Sequence, residues 1–583
     1  MGEGLAGSRK RRLRLRLFIA AGAAVTLGAS VAAGVTGASA STSLASRLAA
    51  EYPGYHVPAT APASVYRDTN ATKTPIKHVI VIFDENVSFD HYFGTYPFAT
   101  NNDGTPFVAK PGTPHVNGLY TKITKSGPTG PLLTHNPNEF DPQRLGPSEA
   151  LTCDMNHGYQ AEQNAVNSGA MNMFVQDTEQ DECSNTGEFY GPPGIVMDYY
   201  DGNTDTALWN YAQNYSMSDN NFDTTFGPST EGAISVSSGL STDGSAVTPS
   251  GAATTDPSAI SSDGVVFGDI DPHFDQCSDS SHTSSNPEGV MTGKNIGNLL
   301  NAKHVTWGWF QGGFAPTSHN SGGAVCGAQS ENIDGTELNE YTPHWEPFQF
   351  NASTANPAHL APTSEAAIGR TDQASHQYDL SDFAKTLKDG NLPSVSFIKG
   401  TTEQSAHPGE SGPVDEQRFL VNTINQVETS KFWKSTAIVV TYDDSDGWYD
   451  HVPPHIVNGS NDSTIDAAVC EKAKVTLGTA NGRCGFSQRL PMLVISPWTR
   501  DNYVSSNLTN TTSVVRFIED NWLGGERIPG SFDAISGSLT AKNGLIDLSI
   551  KPHFKPVILN PQDGAVVRGD RFYGNMGRKH PKK

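Results

Sequence analysis

The sequence predicts an α/β fold: a central, mostly parallel sheet with helices on both faces and long loop insertions. Three observations carry this. Continuous apolar, β-branched runs recur along the chain and each stops abruptly at polar residues, as strands buried on both faces do. Segments of helical periodicity lie between them. The composition, 57 Gly and 37 Pro with only 17% charged residues, demands many turns and ordered loops and excludes a helical bundle or coiled coil.

Taken in order, residues 1–40 place Arg9-Lys10-Arg11-Arg12 ahead of a small-apolar stretch ending in Ala38-Ser39-Ala40, the pattern of an export signal of the Sec or twin-arginine type. Residues 41–75, rich in Ala, Ser, Thr and Pro, read as a lead-in, and a catalytic domain is expected over 76–545. Its first strand is Val79-Ile80-Val81-Ile82-Phe83, running into Asp84-Glu85-Asn86. Val395-Ser396-Phe397-Ile398 is a second strand. Ala437 to Tyr442, which stops at Asp443-Asp444, is a third, and Met492-Leu493-Val494-Ile495 a fourth. Helices are expected from Asp415 to Phe432, with Leu420, Ile424 and Val427 on one face, and from Thr512 to Trp522. Residues 241–290, dominated by Ser, Asp, Gly, Thr and Pro, read as a surface insertion, and 546–583 as a solvated tail.

The 39 Lys and Arg against 61 Asp and Glu give a formal charge of −22, which argues against a nucleic-acid partner. Cleavage after Ala40 would leave the chain more acidic still. Six cysteines in an exported chain predict disulfides, and pairing of sequence neighbours (153–183, 277–326, 470–484) is the economical choice among 15 connectivities.

In an open α/β sheet, reactive groups collect beyond the carboxyl ends of strands, and two buried strands deliver Glu85-Asn86 and Asp443-Asp444 there. Three carboxylates and an amide oxygen repel one another unless a cation lies among them, and such an oxygen set suits a hard divalent ion. Polar strand ends that only cap the following helices give the same pattern. Gly227-Pro228-Ser229 precedes a small-residue helical segment, Ala233 to Gly239, so Ser229 falls at a helix amino end. There a hydroxyl is placed either to attack an anionic phosphorus or simply to cap the helix.

Glu85-Asn86-x-Ser88-Phe89-Asp90-His91-Tyr92-Phe93-Gly94 resembles the opening signature of the bacterial phosphoesterase family that holds secreted phospholipases C and related acid phosphatases. Thr152-Cys153-Asp154-Met155-Asn156-His157, Gly227-Pro228-Ser229, Pro343-His344-Trp345, His407-Pro408-Gly409, Thr441 to Pro454 and Leu490 to Trp498 continue the resemblance in order. It implies an alkaline-phosphatase-like sandwich. It also implies a metal site of Glu85, Asn86, Asp443 and Asp444 for one divalent ion (Ca, Mg, Mn or Zn), Ser229 as nucleophile, and His157, His344 and His407 around the phosphate. Asp446 and His451 are expected behind the ligands. Trp345, Trp448 and Tyr449 are either faces for a quaternary ammonium or core residues.

Two departures stand out. Many relatives carry Pro-Asn-Arg soon after the nucleophile where this chain has Glu231-Gly232-Ala233, and Trp345 replaces a second histidine. The implied activity is a secreted or cell-surface phosphodiesterase of phospholipase C type. Its substrate would be a phospholipid or other phosphate ester, met through transient contact of a monomer with a membrane surface. Hydrolysis of phosphomonoesters, and a weakly active relative that binds lipid or a cell surface, are the alternatives.

Overall fold

The computed structural model describes residues 43–66, 71–125, 127–179 and 189–568. The expected export signal, Cys183 and residues 569–583 of the expected tail lie outside them. Eight strands form the central sheet: β1 (His78–Asp84), β2 (Ser216–Ser218), β3 (Trp307–Gln311), β4 (Gln377–Asp379), β5 (Val395–Lys399), β6 (Thr436–Tyr442), β7 (Met492–Ile495) and β8 (Tyr503–Ser505). Their spatial order is β4-β3-β5-β1-β6-β7-β2-β8. Only β7 runs antiparallel to its neighbours; every other pairing in the sheet is parallel.

Alternation along the strands divides the core in two. Ile80, Ile82, Ile398, Ile438 and Val440 point to one face, where Leu420, Ile424 and Val427 of the helix Pro413–Thr429 cover them. Val79, Val81, Phe83, Phe397 and Val439 point to the other, under Val515 and Ile518 of the helix Ser513–Trp522. Both faces are therefore dry, which is why the central strands read as unbroken apolar runs.

Three expectations about the periphery are corrected. Within the lead-in, Leu44–Glu51 forms a helix, and Leu48, Tyr52 and Tyr55 are buried against Phe274 and Ala355. Residues 241–290 do more than coat the surface: Ala246, Ala259, Ile260, Val266 and Ile270 make a small core around Ile234. In the tail, Ile546 and Leu559 are buried, and a short antiparallel pair, Ile558–Leu559 with Val566–Arg568, adds to the body. Cys277–Cys326 and Cys470–Cys484 are disulfides, as sequence-neighbour pairing anticipates.

Candidate functional site

The parallel register of β1 and β6 sets Asp84 beside Tyr442, so the two acidic strand ends leave the sheet side by side. Backbone bonds from Asp443 N to Asp84 O (3.1 Å) and from Val87 N to Asp444 O (3.0 Å) continue the pairing past the strands. Asn86, Ala406 and Asp446 all have positive φ (42°, 75° and 53°). Asn and Asp adopt that region more readily than other non-glycine residues, whereas Ala406 holds it at a steric cost.

Ser229 is the first residue of the helix Ser229–Ser237. Its Oγ lies 3.0 Å from Glu85 Oε2, 3.4 Å from Asn86 Oδ1 and 3.4 Å from Asp444 Oδ2. One hydroxyl proton cannot serve three acceptors. The Asn86 amide oxygen also faces Asp443 Oδ1 and Oδ2 at 3.0 and 3.2 Å and Glu85 Oε2 at 3.0 Å. Turning that amide would place its NH₂ among the carboxylates and let its oxygen accept from His407 Nε2 at 3.3 Å. As the side chains stand, oxygens from Glu85, Asn86, Asp443 and Asp444 converge with too few protons, a donor set that fits a hard divalent cation. Without one, burial and the neighbouring Asp443 push the Asp444 carboxyl well above the usual range.

Imidazoles and a lysine surround this cluster. His157 Nδ1 contacts Met155 O (2.8 Å) and Asp446 Oδ1 (3.2 Å). Burial alone would lower its pKa, but Asp444, Asp446 and Asp154 raise it above the usual value. His344 is 3.4 Å from Asp271; burial opposes its charge, yet Asp269 and then Asp271 raise it to about 9. The short helical turn that carries His344, Pro343–Trp345, packs on the helix that begins at Ser229. His407 Nδ1 contacts Pro408 O at 2.6 Å, and its ring lies 6.2 Å from that of His157. One ligand atom each from Asp154, His157 and His407 lie within 4.8 Å of one another, a group that could itself hold a metal ion.

Of the three aromatic residues, none offers a free face. Lys399 Nζ sits 4.7 Å over the Trp345 ring, Trp448 stacks on His91 at 3.8 Å, and Tyr449 meets Phe174 edge-on at 5.2 Å. Of the two alternatives, faces for a quaternary ammonium or core residues, the burial of Trp345, Trp448 and Tyr449 favours core packing for all three. Asp446 Oδ1 lies against His157 Nδ1. His451 turns to another group: its Nδ1 binds Asp90 Oδ2 at 2.5 Å and its Nε2 Asn117 at 3.2 Å. There Arg489 forks onto Asp450 through two 2.9 Å bonds and reaches Asp90 at 3.1 Å, so a guanidinium already fills that acidic group and ties the first signature to the later ones.

Sequence reasoning missed four participants. Lys399 ends β5 and pairs with Glu85 Oε1; the rule that found Glu85 would have found it one residue beyond Ile398. Asp269 accepts from Thr230 N (3.0 Å) and Oγ1 (2.9 Å), and it lay in the stretch read as surface. Glu162 accepts from Ser445 Oγ (2.5 Å) and Gly227 N (3.1 Å), joining the turn after β6 to the loop before Ser229. Glu410 lies near His344; burial raises its carboxyl above the usual range, against the pull of that neighbouring imidazole. Beside the cluster opens a cleft of about 520 Å³, lined by His157, Tyr159, Pro228, Phe267, Asp269 and Ile465 among others.

A model of the phosphoesterase family matches residues 76–523. The chain is 33% identical over 140 residues to a non-hemolytic phospholipase C of Pseudomonas aeruginosa, a match covering 23% of this chain and 20% of that enzyme. The match thus spans about a fifth of that relative's length. Identity to phospholipase C B of Mycobacterium tuberculosis is 24% over 458 residues, covering 76% of this chain and 73% of the relative. A solved protein of the alkaline phosphatase superfamily from Vibrio parahaemolyticus aligns over 55% of this chain and 60% of its own, with 12% identity and a TM-score of 0.25.

Proposed function

The chain belongs to the phosphoesterase family, and from that premise we propose that it is a secreted, metal-assisted phosphodiesterase of phospholipase C type, cleaving glycerophospholipid to diacylglycerol and a phosphoalcohol. The observation that carries the reading is the placement of Ser229 Oγ, at a helix amino end and within 3.0–3.4 Å of oxygens from Glu85, Asn86 and Asp444.

A divalent ion bound by Glu85, Asn86, Asp443 and Asp444 supplies Lewis-acid charge neutralisation and a lower hydroxyl pKa. The residues of the chain do the rest. Glu85 Oε2 is placed to accept the Ser229 proton, and Ser229 attacks phosphorus in line to form a phosphoserine. The amino end of the helix, where the dipole favours an anion, and the His157 imidazole face the phosphoryl oxygens. His344, protonated up to about pH 9, donates to the departing diacylglycerol oxygen. His407, beside Asn86, serves proton transfer when water releases the phosphoalcohol. The 520 Å³ cleft suits the phosphoalcohol side of the substrate, leaving the acyl chains at the membrane that a monomer touches only in passing. No described helix is long and apolar enough to cross a membrane.

The test compares hydrolysis of p-nitrophenyl phosphorylcholine and p-nitrophenyl phosphate by the purified protein across divalent metals, with Ser229→Ala and Asp444→Asn as controls. Preference for the diester, lost in both variants, supports the reading. Preference for the monoester moves the protein to the acid phosphatases. Turnover that is absent, or independent of Ser229, replaces catalysis by lipid or surface binding.

A further inference from the structure

Lys399 is a fully buried lysine. Its side chain and that of Glu85, with which its Nζ pairs through Oε1, are both fully excluded from solvent. The ammonium is held between two aromatic faces, 4.7 Å from the Phe83 ring and 4.7 Å from the Trp345 ring. It arrives there because β5 lies against β1, with Ile82 paired to Ile398, so Lys399 comes level with Phe83 and its side chain reaches Glu85 two residues on. Lys399 touches one oxygen of Glu85, and Ser229 touches the other.

We propose that Lys399 is the site's resident cation: by holding Glu85 Oε1 it confines Glu85 to a single oxygen facing Ser229 and limits the cluster to one divalent ion. The proposal rests on the metal site of the preceding section. Charge arithmetic supports it. Glu85, Asp443 and Asp444 bring three formal negative charges; Lys399 cancels one, and one divalent ion cancels the other two. A second divalent ion would leave a dry site doubly positive, a state that burial penalises heavily. Without Lys399, Glu85 is free to offer both oxygens, and the cluster becomes one charge more attractive to metal. Lys399 is thus a positioning residue, acting through Glu85.

The test is Lys399→Met, which keeps the length of the chain and suits a slot between two rings while removing the charge. Mn²⁺ alone is titrated into apo wild type, Lys399→Met and Asp444→Asn by calorimetry, and kcat and KM are measured on the chromogenic diester. The expected result is binding at least tenfold tighter in Lys399→Met, with stoichiometry rising above one, and kcat at least tenfold lower at little-changed KM. A merely structural role would weaken metal binding, not strengthen it. Unchanged or weaker binding overturns the proposal. So does a raised inhibition constant for inorganic phosphate with Mn²⁺ affinity unchanged, which would make Lys399 a direct phosphate ligand. Wild type that binds no Mn²⁺, or Asp444→Asn that binds it equally well, removes the metal site and this proposal together; wild-type binding with an unaltered Lys399→Met removes this proposal alone. If Lys399→Met folds only with Mn²⁺ present, that is the expected effect in another form. If it fails to fold in either condition, Lys399→Gln is titrated in the same way and decides by the same criteria, and failure of both to fold overturns the proposal.

Discussion

Gly232→Ala is the smallest change that tests how the nucleophile is positioned. A Cβ at residue 232 would lie 2.4 Å from the Asp443 carbonyl oxygen, 2.6 Å from its carbonyl carbon and 2.6 Å from its Cβ. Non-bonded contacts of this kind settle near 3.5 Å, so the helix and the turn after β6 must separate by about 1 Å. Neither side can swing away, because both contacts are at the level of the backbone. Residue 232 is one turn from Ser229 on the same helix face, so the retreat carries Ser229 Oγ away from Glu85 Oε2, now 3.0 Å distant. A misplacement of about 1 Å at a reacting atom costs about a hundredfold in rate, and overpacking of this size costs about 1–3 kcal/mol in stability. The assay is kcat/KM on the chromogenic diester at saturating metal, with Ser229→Ala as the floor and a urea melt alongside. A Gly232→Ala protein within threefold of wild-type kcat/KM would refute the argument that this helix is docked on Asp443.

Three further outcomes follow from the same geometry. Because Asp269 is the largest influence raising His344 to about 9, and a general acid is lost as pH rises through its pKa, kcat/KM should fall above about pH 9; Asp269→Asn should move that limb down by a unit or more, and an unmoved limb in the pH–rate profile disproves the role of His344. Burial raises Glu162 from 4.5 to about 7. The folded chain therefore keeps a proton that the unfolded chain loses between those values, and this group's contribution falls by ~3 kcal/mol as pH rises through the window. Glu162→Gln should flatten that slope in urea melts at pH 4, 6 and 8, while an unchanged slope sinks the account. Arg489→Met leaves the Asp90 and Asp450 carboxyls buried without their cation and should cost about 3–5 kcal/mol; a loss below about 1 kcal/mol in the same melts would show that the network is not a brace.

How much was legible in the sequence depended on how each segment hides from water. Val79 to Phe83 and Ala437 to Tyr442 are central strands with apolar neighbours on both faces, so their runs are unbroken and their ends unmistakable. β2 is Ser216-Met217-Ser218, a buried strand whose hydroxyls are satisfied by Arg500 O and Ser505 O at 3.4 and 3.3 Å, and no hydropathy pattern marks it. β3, with Trp307 and Trp309 facing one core and Phe310 the other, is interrupted by Gly308, whose missing side chain makes room for Tyr378. The same distinction separates the site residues. Glu85 and Asp443 end recognisable strands; Asp269 sits among Ser, Asp and Gly residues whose short side chains bond their own turns, as Ser258 and Ser261 do with Asp256 and Asp263. A polar stretch that satisfies itself locally can be buried, and composition alone reads it as surface.

The triplet Glu231-Gly232-Ala233 belongs to this tight docking rather than to loss of function by attrition. Gly232 lets the helix reach Asp443. Ala233 is buried beneath the sheet with Val236 and Phe348, where an arginine would bring an unpaired charge into an apolar core. Glu231 is buried with Thr225 Oγ1 at 3.3 Å, and the nearby Arg483 guanidinium opposes the upward push of burial on its carboxyl. Restoring Pro-Asn-Arg alone would therefore strike Asp443 and bury a cation without a partner. The positive charge that the triplet lacks stands instead around the cluster, on His157, His344 and Lys399. Under the proposed function, imidazoles carried by loops would face the phosphate while Lys399, at a strand end, holds Glu85, so the helix that presents Ser229 is free to be small and close-packed.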